Sequence, residues 1–415
     1  MLTLSLDHLT GLLFVATYVG IALGRIPGLR LDRTGIALVG AIALVAVGAI
    51  SLPHATAAVD FSTLFLLFGL MILSAQLRLA GFYRLVAGAV LRQARRPLRL
   101  LSGVVVASAA LSSLFANDIV CLAFTPVLCE AVRAAGRNPV PYLIALATAS
   151  NIGSVATLIG NPQNMFIGQV AQLDFAHYTL AMLPVAALGV VANVAVVALV
   201  WRRELLAPKA EVLDLPVPVE VATLTPDRYL IAKTLGVTAL LLAAFLLGLP
   251  RDVSALTAAA FMLCSRRTPS RQLYALVDWN LILLFMGLFV VIGALQERSL
   301  MRQALAALAA HGVVLTAPGV FVAVCTILAN LVSNVPAVLL LRDVPGTSLQ
   351  LWYLLAMAST LAGNLTLVGS IANLIVVEKA ADSGVTVSFA AYARVGVPLT
   401  AVTLLLGTLW LVAVT

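Results

Sequence analysis

The sequence predicts an all-α polytopic membrane protein of two inverted repeats, each with five spanning helices, one of them broken, plus a re-entrant hairpin. Three observations predict it. Of 415 residues, 62% are hydrophobic and only 10% charged, with a mean hydropathy of +1.09; a soluble chain carries about 25% charged residues. The charges cluster between apolar runs, many of them near the roughly 20 residues that a bilayer-spanning helix needs. Finally, the second half of the chain repeats motifs of the first in the same order.

Apolar runs occur near residues 9–24, 35–52, 61–77, 100–129, 140–173, 180–201, 229–249, 253–265, 279–296, 313–341, 344–377 and 395–413. The first follows an N-terminus without a basic region and reads as a true span rather than a cleavable signal. Leu100–Cys129 holds a single charge, Asp118, while 138–173 and 344–377 hold none and are rich in Gly, Asn, Ser and Pro. The last two read as broken helices, because irregular backbone at membrane depth is tolerated only where protein buries it or it lines a cavity. Segments 100–137 and 312–342 read as re-entrant hairpins.

An N-terminus on the outer side then places 21 of the 25 basic residues in cytoplasmic loops, among them Arg25, Arg33, Arg78, Arg95 and Lys209. Only Arg251, Arg298, Arg302 and Arg342 fall outside. The +8 net charge is therefore an orientation signal and not a nucleic-acid patch. It predicts a multi-pass protein of the cell inner membrane with both termini outside. Cys121, Cys129, Cys264 and Cys325 lie in apolar runs without CxxC pairing, so neither a disulfide framework nor a metal site is expected.

The self-similarity has three anchors. Val59-Asp60-Phe61 with LFLLFGLM matches Val277-Asp278-Trp279 with ILLFMGLF at an offset of 218. Asn117 in LFANDIV matches Asn334 in LVSNVPA at 217. Thr157-Leu158-Ile159-Gly160 and Asn164 match Thr366-Leu367-Val368-Gly369 and Asn373 at 209. An odd number of crossings per half inverts the second repeat, an architecture common among secondary transporters. The expected division is 1–201, a proline-bearing cytoplasmic linker 202–228 (Pro208, Pro216, Pro218, Pro226), and 229–415.

In such folds ligands bind near the midplane, where helix breaks free backbone groups and helix N-termini attract anions. The candidates in the first half are Asn117 and Asp118 at the hairpin centre, then Ser150, Asn151, Gly153, Thr157, Gly160, Asn161 and Asn164 in the broken helix. The second half offers Ser333, Asn334, Gly363, Asn364, Gly369 and Asn373. Small polar residues also glue helices together in membranes, but their symmetric placement favours a site. Asp118 stands apart as the acid placed deep in the bilayer, where a carboxylate costs about 3 kcal/mol and marks function. It is a candidate to carry a coupling proton, to hold a cation such as Na+ with Asn117, or to cap the helix that follows. His8, His54, His177 and His311 fall on the outer side, against a histidine relay. Cys121 lies one turn beyond Asp118 and reads as buried apolar cysteine before it reads as a metalloid contact. The arginines of 78–99 read as anchors of an amphipathic cytoplasmic segment, and Arg342-Asp343 as an interfacial pair.

ANDIVCLAFTP and SNIGSVATLIGNPQN, with SNVPA and STLAGNLTLVGSIANLIV, resemble signatures of the ion transporter superfamily. That group includes the arsenical pump membrane proteins, the NhaD-type sodium/proton antiporters, and the citrate and divalent-anion permeases. The resemblance is closest to the arsenical-pump-like anion permeases. It implies a homodimer, with a scaffold (about 9–77 and 229–296) and a transport part (about 99–201 and 312–413) moving as an elevator. Sodium/dicarboxylate symporters carry Ser-Asn-Thr at each hairpin tip, whereas here the tips read Ala116-Asn117-Asp118 and Ser333-Asn334-Val335. The departure favours proton coupling through Asp118.

The expected activity is secondary transport of a small inorganic or carboxylate anion or a metalloid, with arsenite or antimonite efflux against proton entry as the leading form. A sodium/proton antiporter and a sodium-coupled citrate or dicarboxylate symporter are the alternatives. No GxxxxGK[ST] loop is present, so ATP-driven pumping and enzymatic chemistry are disfavoured, although a cytoplasmic ATPase partner stays open. No cofactor and no nucleic-acid partner are expected; membrane lipid is.

Overall fold

The structure is a computed structural model that describes residues 5–24, 28–92, 96–206, 226–312 and 314–415. Arg25, Arg95, Lys209, Pro208, Pro216, Pro218 and most of the expected linker lie outside the described residues. Every regular element among them is helical, and seven helices are long and apolar enough to cross a membrane.

The first half runs Leu6–Leu23, Arg33–Ala46, Leu52–Ala58, Phe61–Leu79 and Phe82–Leu91, then a hairpin of Pro97–Leu114 and Asn117–Ala134. It continues with Val140–Ser154, Pro162–Val170 and Phe175–Val200. After the short Arg202–Leu206 the second half runs Arg228–Leu246, Arg251–Leu263, Ser270–Tyr274, Trp279–Glu297 and Leu300–Ala310. A hairpin of Pro318–Val332 and Asn334–Leu341 follows, then Leu349–Leu361, a 3-10 turn Ala362–Asn364, Ile371–Asp382 and Phe389–Val414.

Corresponding elements share local causes. Asp60 and Asp278 each cap a 19-residue helix, accepting from the N–H of Thr63 and of Leu281. Phe175–Val200 and Phe389–Val414 are both 26 residues long and each carries an internal proline, Pro184 and Pro398. Both expected hairpins are present as two helices joined by a tip of one or two residues, and both uncharged stretches are interrupted helices. Their lack of charge follows from burial: all of Pro141–Ser154 and Leu351–Leu361 is buried, so no face meets water.

The centre is formed where helices cross closely. A Cβ on Gly69 would lie 2.6 Å from the Ala255 carbonyl oxygen, and one on Gly287 would lie 3.0 Å from that of Ala37. The two contacts are related by one offset, since 69 + 218 = 287 and 37 + 218 = 255. Phe61–Leu79 thus packs on Arg251–Leu263 of the other half, while Trp279–Glu297 packs on Arg33–Ala46. Of these, Arg33–Ala46, at 14 residues, is shorter than the apolar run predicted for it, whereas Trp279–Glu297 spans its run. The run 35–52 extends past the helix through Gly48, at φ +74°, to Ser51, which caps the next helix.

Candidate functional site

The two interrupted helices meet at their breaks. In the first, Asn161 caps Pro162–Val170 by accepting from the Asn164 N–H at 2.9 Å. The Asn164 amide donates back to the carbonyls of Ser154 (3.2 Å) and Thr157 (3.3 Å), and to the Tyr178 hydroxyl (3.1 Å). In the second, Ser370 caps Ile371–Asp382, and the Asn373 amide donates to the carbonyls of Gly363 (2.7 Å) and Thr366 (3.2 Å). Both asparagines therefore reach the carbonyls ten and seven residues earlier. Each break needs a glycine: a Cβ on Gly160 would sit 2.4 Å from the Ser154 oxygen and 2.8 Å from that of Ser112, and one on Gly369 would sit 3.0 Å from the Gly363 oxygen.

Each helix also reaches into the other's break. The Asn151 amide donates to Asn364 Oδ1 (2.8 Å) and Asn373 Oδ1 (3.2 Å), while its Oδ1 accepts from Ser370 (3.1 Å) and from Asn117 Nδ2 (3.0 Å) at the hairpin tip. Thr360 is its counterpart in the second half. Its hydroxyl accepts from Asn161 (3.1 Å) and Gln163 (3.3 Å) and donates to Asn164 Oδ1 (3.4 Å). The hairpins dock on the breaks by the same route. Thr157 donates to the Ser113 carbonyl, and Thr366 to Asn330 Oδ1 at 3.1 Å.

The structure thus brings Asn117, Asn151, Asn364 and Asn373 into one buried cluster, with Asn161, Asn164 and Thr157 in a second beside it. Ser150 is buried and accepts from Cys121 Sγ at 3.1 Å, so this cysteine is packed against the cluster. Gly153 lies at the end of Val140–Ser154, against the backbone of Ala109. Asn334 is buried with its Oδ1 unpartnered among the described residues, and Ser333 forms the second tip at φ +78°. Sequence reasoning missed Thr360, Ser370, Gln163 and Tyr178. Thr360 was within reach, since 151 + 209 = 360 and the same offset aligns the breaks.

Asp118 lies apart from the amides. It opens the helix Asn117–Ala134, yet that helix has no side-chain cap, and Asp118 makes no hydrogen bond among the described residues, so the capping role expected as one alternative is not observed. It lines a cavity of about 140 Å³ together with Arg78, Asp278, Ala116, Pro162 and Met165. Arg78 and Asp278 belong to the side where the basic loops cluster, so the cavity joins the hairpin tip to the end expected to be cytoplasmic. Asp278 uses one carboxylate oxygen for its cap; the other has no partner among the described residues. Neither Arg78 nor Asp278 was anticipated here, because their approach to Asp118 is tertiary. Among the described residues no three His, Cys, Asp or Glu side chains cluster as a metal site.

A family model described as citrate transporter matches residues 18–344. An uncharacterised transporter of Mycobacterium tuberculosis (strain H37Rv) is 30% identical over 424 residues, with 96% of each chain covered. The silicon efflux transporter of Oryza sativa subsp. japonica is 28% identical, with 86% of each chain covered. A transporter named arsB from Dictyostelium discoideum is 25% identical over 95% of this chain and 89% of its own. The crystal structure of the Alcanivorax borkumensis YdaH transporter shares the fold with a TM-score of 0.55 at 14% identity, over 98% of this chain and 97% of its own. The chain belongs to the citrate transporter family of the ion transporter superfamily: it is a multi-pass membrane transporter and not an enzyme.

Proposed function

We propose that the protein exports a small hydroxylated metalloid, arsenite or antimonite in the first instance, in exchange for protons carried by Asp118. The observation that carries this reading is Asp118 itself: a carboxyl at a hairpin tip, without a hydrogen-bond partner among the described residues, lining a cavity beside a helix break. The neighbouring clusters are built from amides and hydroxyls and contain no cation among the described residues. Such groups match neutral molecules that both donate and accept hydrogen bonds, as arsenous acid does, better than a multiply charged carboxylate. The names of two relatives, a silicon efflux transporter and arsB, lend the same support, because silicic and arsenous acids are both small uncharged hydroxides.

The substrate groups in this reading are Asn117, Ser150, Asn151, Gly153, Thr157, Gly160, Asn161, Asn164, Ser333, Asn334, Gly363, Asn364, Gly369 and Asn373. The chain is read as two inverted repeats joined by the 202–228 linker, supported by the shared capping pattern and by the swapped contacts at Gly69 and Gly287. Its scaffold (9–77 and 229–296) dimerises in the inner membrane with both termini outside, and its transport part (99–201 and 312–413) moves as an elevator. A second reading, sodium-coupled citrate or dicarboxylate uptake, is favoured by the description of the matching family and by Arg78 at the cavity wall.

Proteoliposomes holding the purified protein test both. Under an imposed pH gradient, arsenite or antimonite movement with stoichiometric proton counterflow is expected, lost in Asp118→Asn, with no ATPase partner added. Citrate uptake that follows a sodium gradient and survives Asp118→Asn sinks the metalloid reading. Sodium movement against protons without any metalloid flux marks an antiporter instead.

A further inference from the structure

Arg251 falls on the expected outer side, yet it is almost fully buried. It opens the helix Arg251–Leu263, which packs on Phe61–Leu79. Its guanidinium donates to the carbonyl of Leu173 at 2.8 Å and to that of Gly168, with Gln169 Oε1 at 3.5 Å. Gly168 and Gln169 lie in the last turn of Pro162–Val170, the far arm of the first broken helix, and Leu173 lies in the turn that follows it. The free carbonyls of a helix C-terminus carry partial negative charge and favour a cation. One side chain from the region read as scaffold therefore grips the broken helix of the region read as transport part.

The repeat supplies a counterpart. Subtracting 218 from 251 gives residue 33, and Arg33 opens the helix Arg33–Ala46 just as Arg251 opens its own. The register is independently fixed, because the same offset relates the Gly69–Ala255 and Gly287–Ala37 contacts. The segment equivalent to Gly168–Leu173 is 377–382, at the end of Ile371–Asp382 (168 + 209 = 377). Arg33, however, makes no side-chain hydrogen bond among the described residues. One grip is closed and its repeat-related twin is open. The open one lies on the expected cytoplasmic side, toward which the Asp118 cavity leads.

We infer that Arg251 and Arg33 are paired positioning residues for transport: Arg251 grips the first broken helix when the site faces the cytoplasm, and Arg33 grips the second when it faces outward. The inference rests on the elevator reading proposed above, in which the site alternately faces the two sides of the membrane. Each grip is a set of charge-assisted hydrogen bonds that forms in one state and breaks in the other, so each biases the equilibrium by its own worth. The antisymmetry of the inverted repeats supplies the second state: exchanging the conformations of the halves opens the Arg251 grip and closes that of Arg33. Gln172 at φ +48° shapes the turn that presents the Leu173 carbonyl.

The test uses the full chain in membrane vesicles of both orientations, with Cys264→Ser removing the exposed cysteine and Ile119→Cys placing a reporter on the cavity wall. The probe is a membrane-impermeant maleimide, applied with and without an imposed pH gradient. The parent labels mainly from the cytoplasmic face. Arg251→Gln raises the ratio of outer to cytoplasmic labelling by roughly tenfold, as expected from losing bonds made by a charged donor in one state only. Arg33→Gln moves the ratio the other way, the double variant returns toward the parent, and Arg251→Lys lies between. Opposite shifts are what a merely structural arginine cannot give. An unchanged ratio in Arg251→Gln, or shifts of the same sign in both single variants, overturns the paired grips. If the pH gradient still moves the ratio in that case, alternating access stands without them. Labelling confined to one face in every variant and gradient removes both.

Discussion

The two breaks at the centre of the molecule are built to one plan and differ in what they present. Asn164 and Asn373 each brace their own break through the carbonyls ten and seven residues back, and each break excludes a Cβ at its glycine. Around that shared frame the chemistry is unequal. The first hairpin tip carries Asp118 facing a cavity, while the equivalent position of the second is Val335, buried. Asp60 spends both oxygens on Thr63, on its N–H at 3.1 Å and its hydroxyl at 3.0 Å, whereas Asp278 faces Leu281 and keeps one oxygen unpartnered among the described residues. Symmetry supplies the scaffold of the site, and departures from it supply the charge. A duplicated acid at the second tip would bring a further desolvation cost.

The largest effect expected is at the unequal tip. Asp118→Asn keeps the size of the side chain and removes the titrating group, so proton-coupled flux should fall by about a hundredfold or more. Dye-reported proton movement in proteoliposomes checks it, with binding of the substrate measured separately. The shared frame should respond next, and unequally. Gly160→Ala pushes a Cβ against two backbone oxygens, at 2.4 Å and 2.8 Å, which cannot step aside. Gly369→Ala meets Asn330 Oδ1 at 2.8 Å, a side-chain atom that can swing away, and the Gly363 oxygen at 3.0 Å. Overpacking of this kind costs about 1–3 kcal/mol. The thermal midpoint of the purified protein should fall in both variants, and further in Gly160→Ala. Equal losses would mean that the second break is as rigid as the first.

The comparison also explains what the sequence could reveal. The breaks and tips were legible because the residues that close backbone contact demands, Gly160 and Gly369, and those that brace it, Asn164 and Asn373, are the same in both halves. Crossing helices were legible as apolar runs, with ends blurred where a run passes through a turn such as Gly48. Thr360 was hidden because it performs with a hydroxyl what Asn151 performs with an amide, so equivalence of position came without equivalence of type. Arg251 read as an outer loop charge because nothing local reveals that its partners are the carbonyls of Gly168 and Leu173, some 80 residues upstream in sequence. The cavity that gathers Arg78, Asp118 and Asp278 arises from tertiary approach and has no signature along the chain.

Two smaller tests sharpen the contrast between the halves. Asn caps helices as well as Asp does, so Asp278→Asn and Asp60→Asn should both fold. Only the first removes a carboxylate from the Asp118 cavity. Its proton-coupled flux should therefore slow several-fold while that of Asp60→Asn stays near the parent rate; matching rates would make Asp278 a cap and nothing more.

The smallest difference expected is between two buried tyrosines, Tyr178 and Tyr392, at equivalent places in the 26-residue helices. The Tyr178 hydroxyl donates to the Val155 carbonyl at 3.2 Å and accepts from Asn164 at 3.1 Å, tying the helix to the first break. That of Tyr392 has no partner among the described residues, and its helix instead meets the second break through Gly396, where a Cβ would lie 2.4 Å from the Asn364 oxygen. Side-chain hydrogen bonds inside membrane proteins contribute about 0.6 kcal/mol each and at most about 1.7. Tyr178→Phe should lose roughly that much, visible as a lower thermal midpoint, and leaves the Asn164 amide its two carbonyl acceptors, Ser154 and Thr157. Tyr392→Phe removes a hydroxyl that is already unsatisfied and should be neutral or mildly stabilising. If instead Tyr392→Phe destabilises as much as Tyr178→Phe, the Tyr392 hydroxyl finds a partner in another state of the transport cycle, and the inequality of the two breaks would itself alternate.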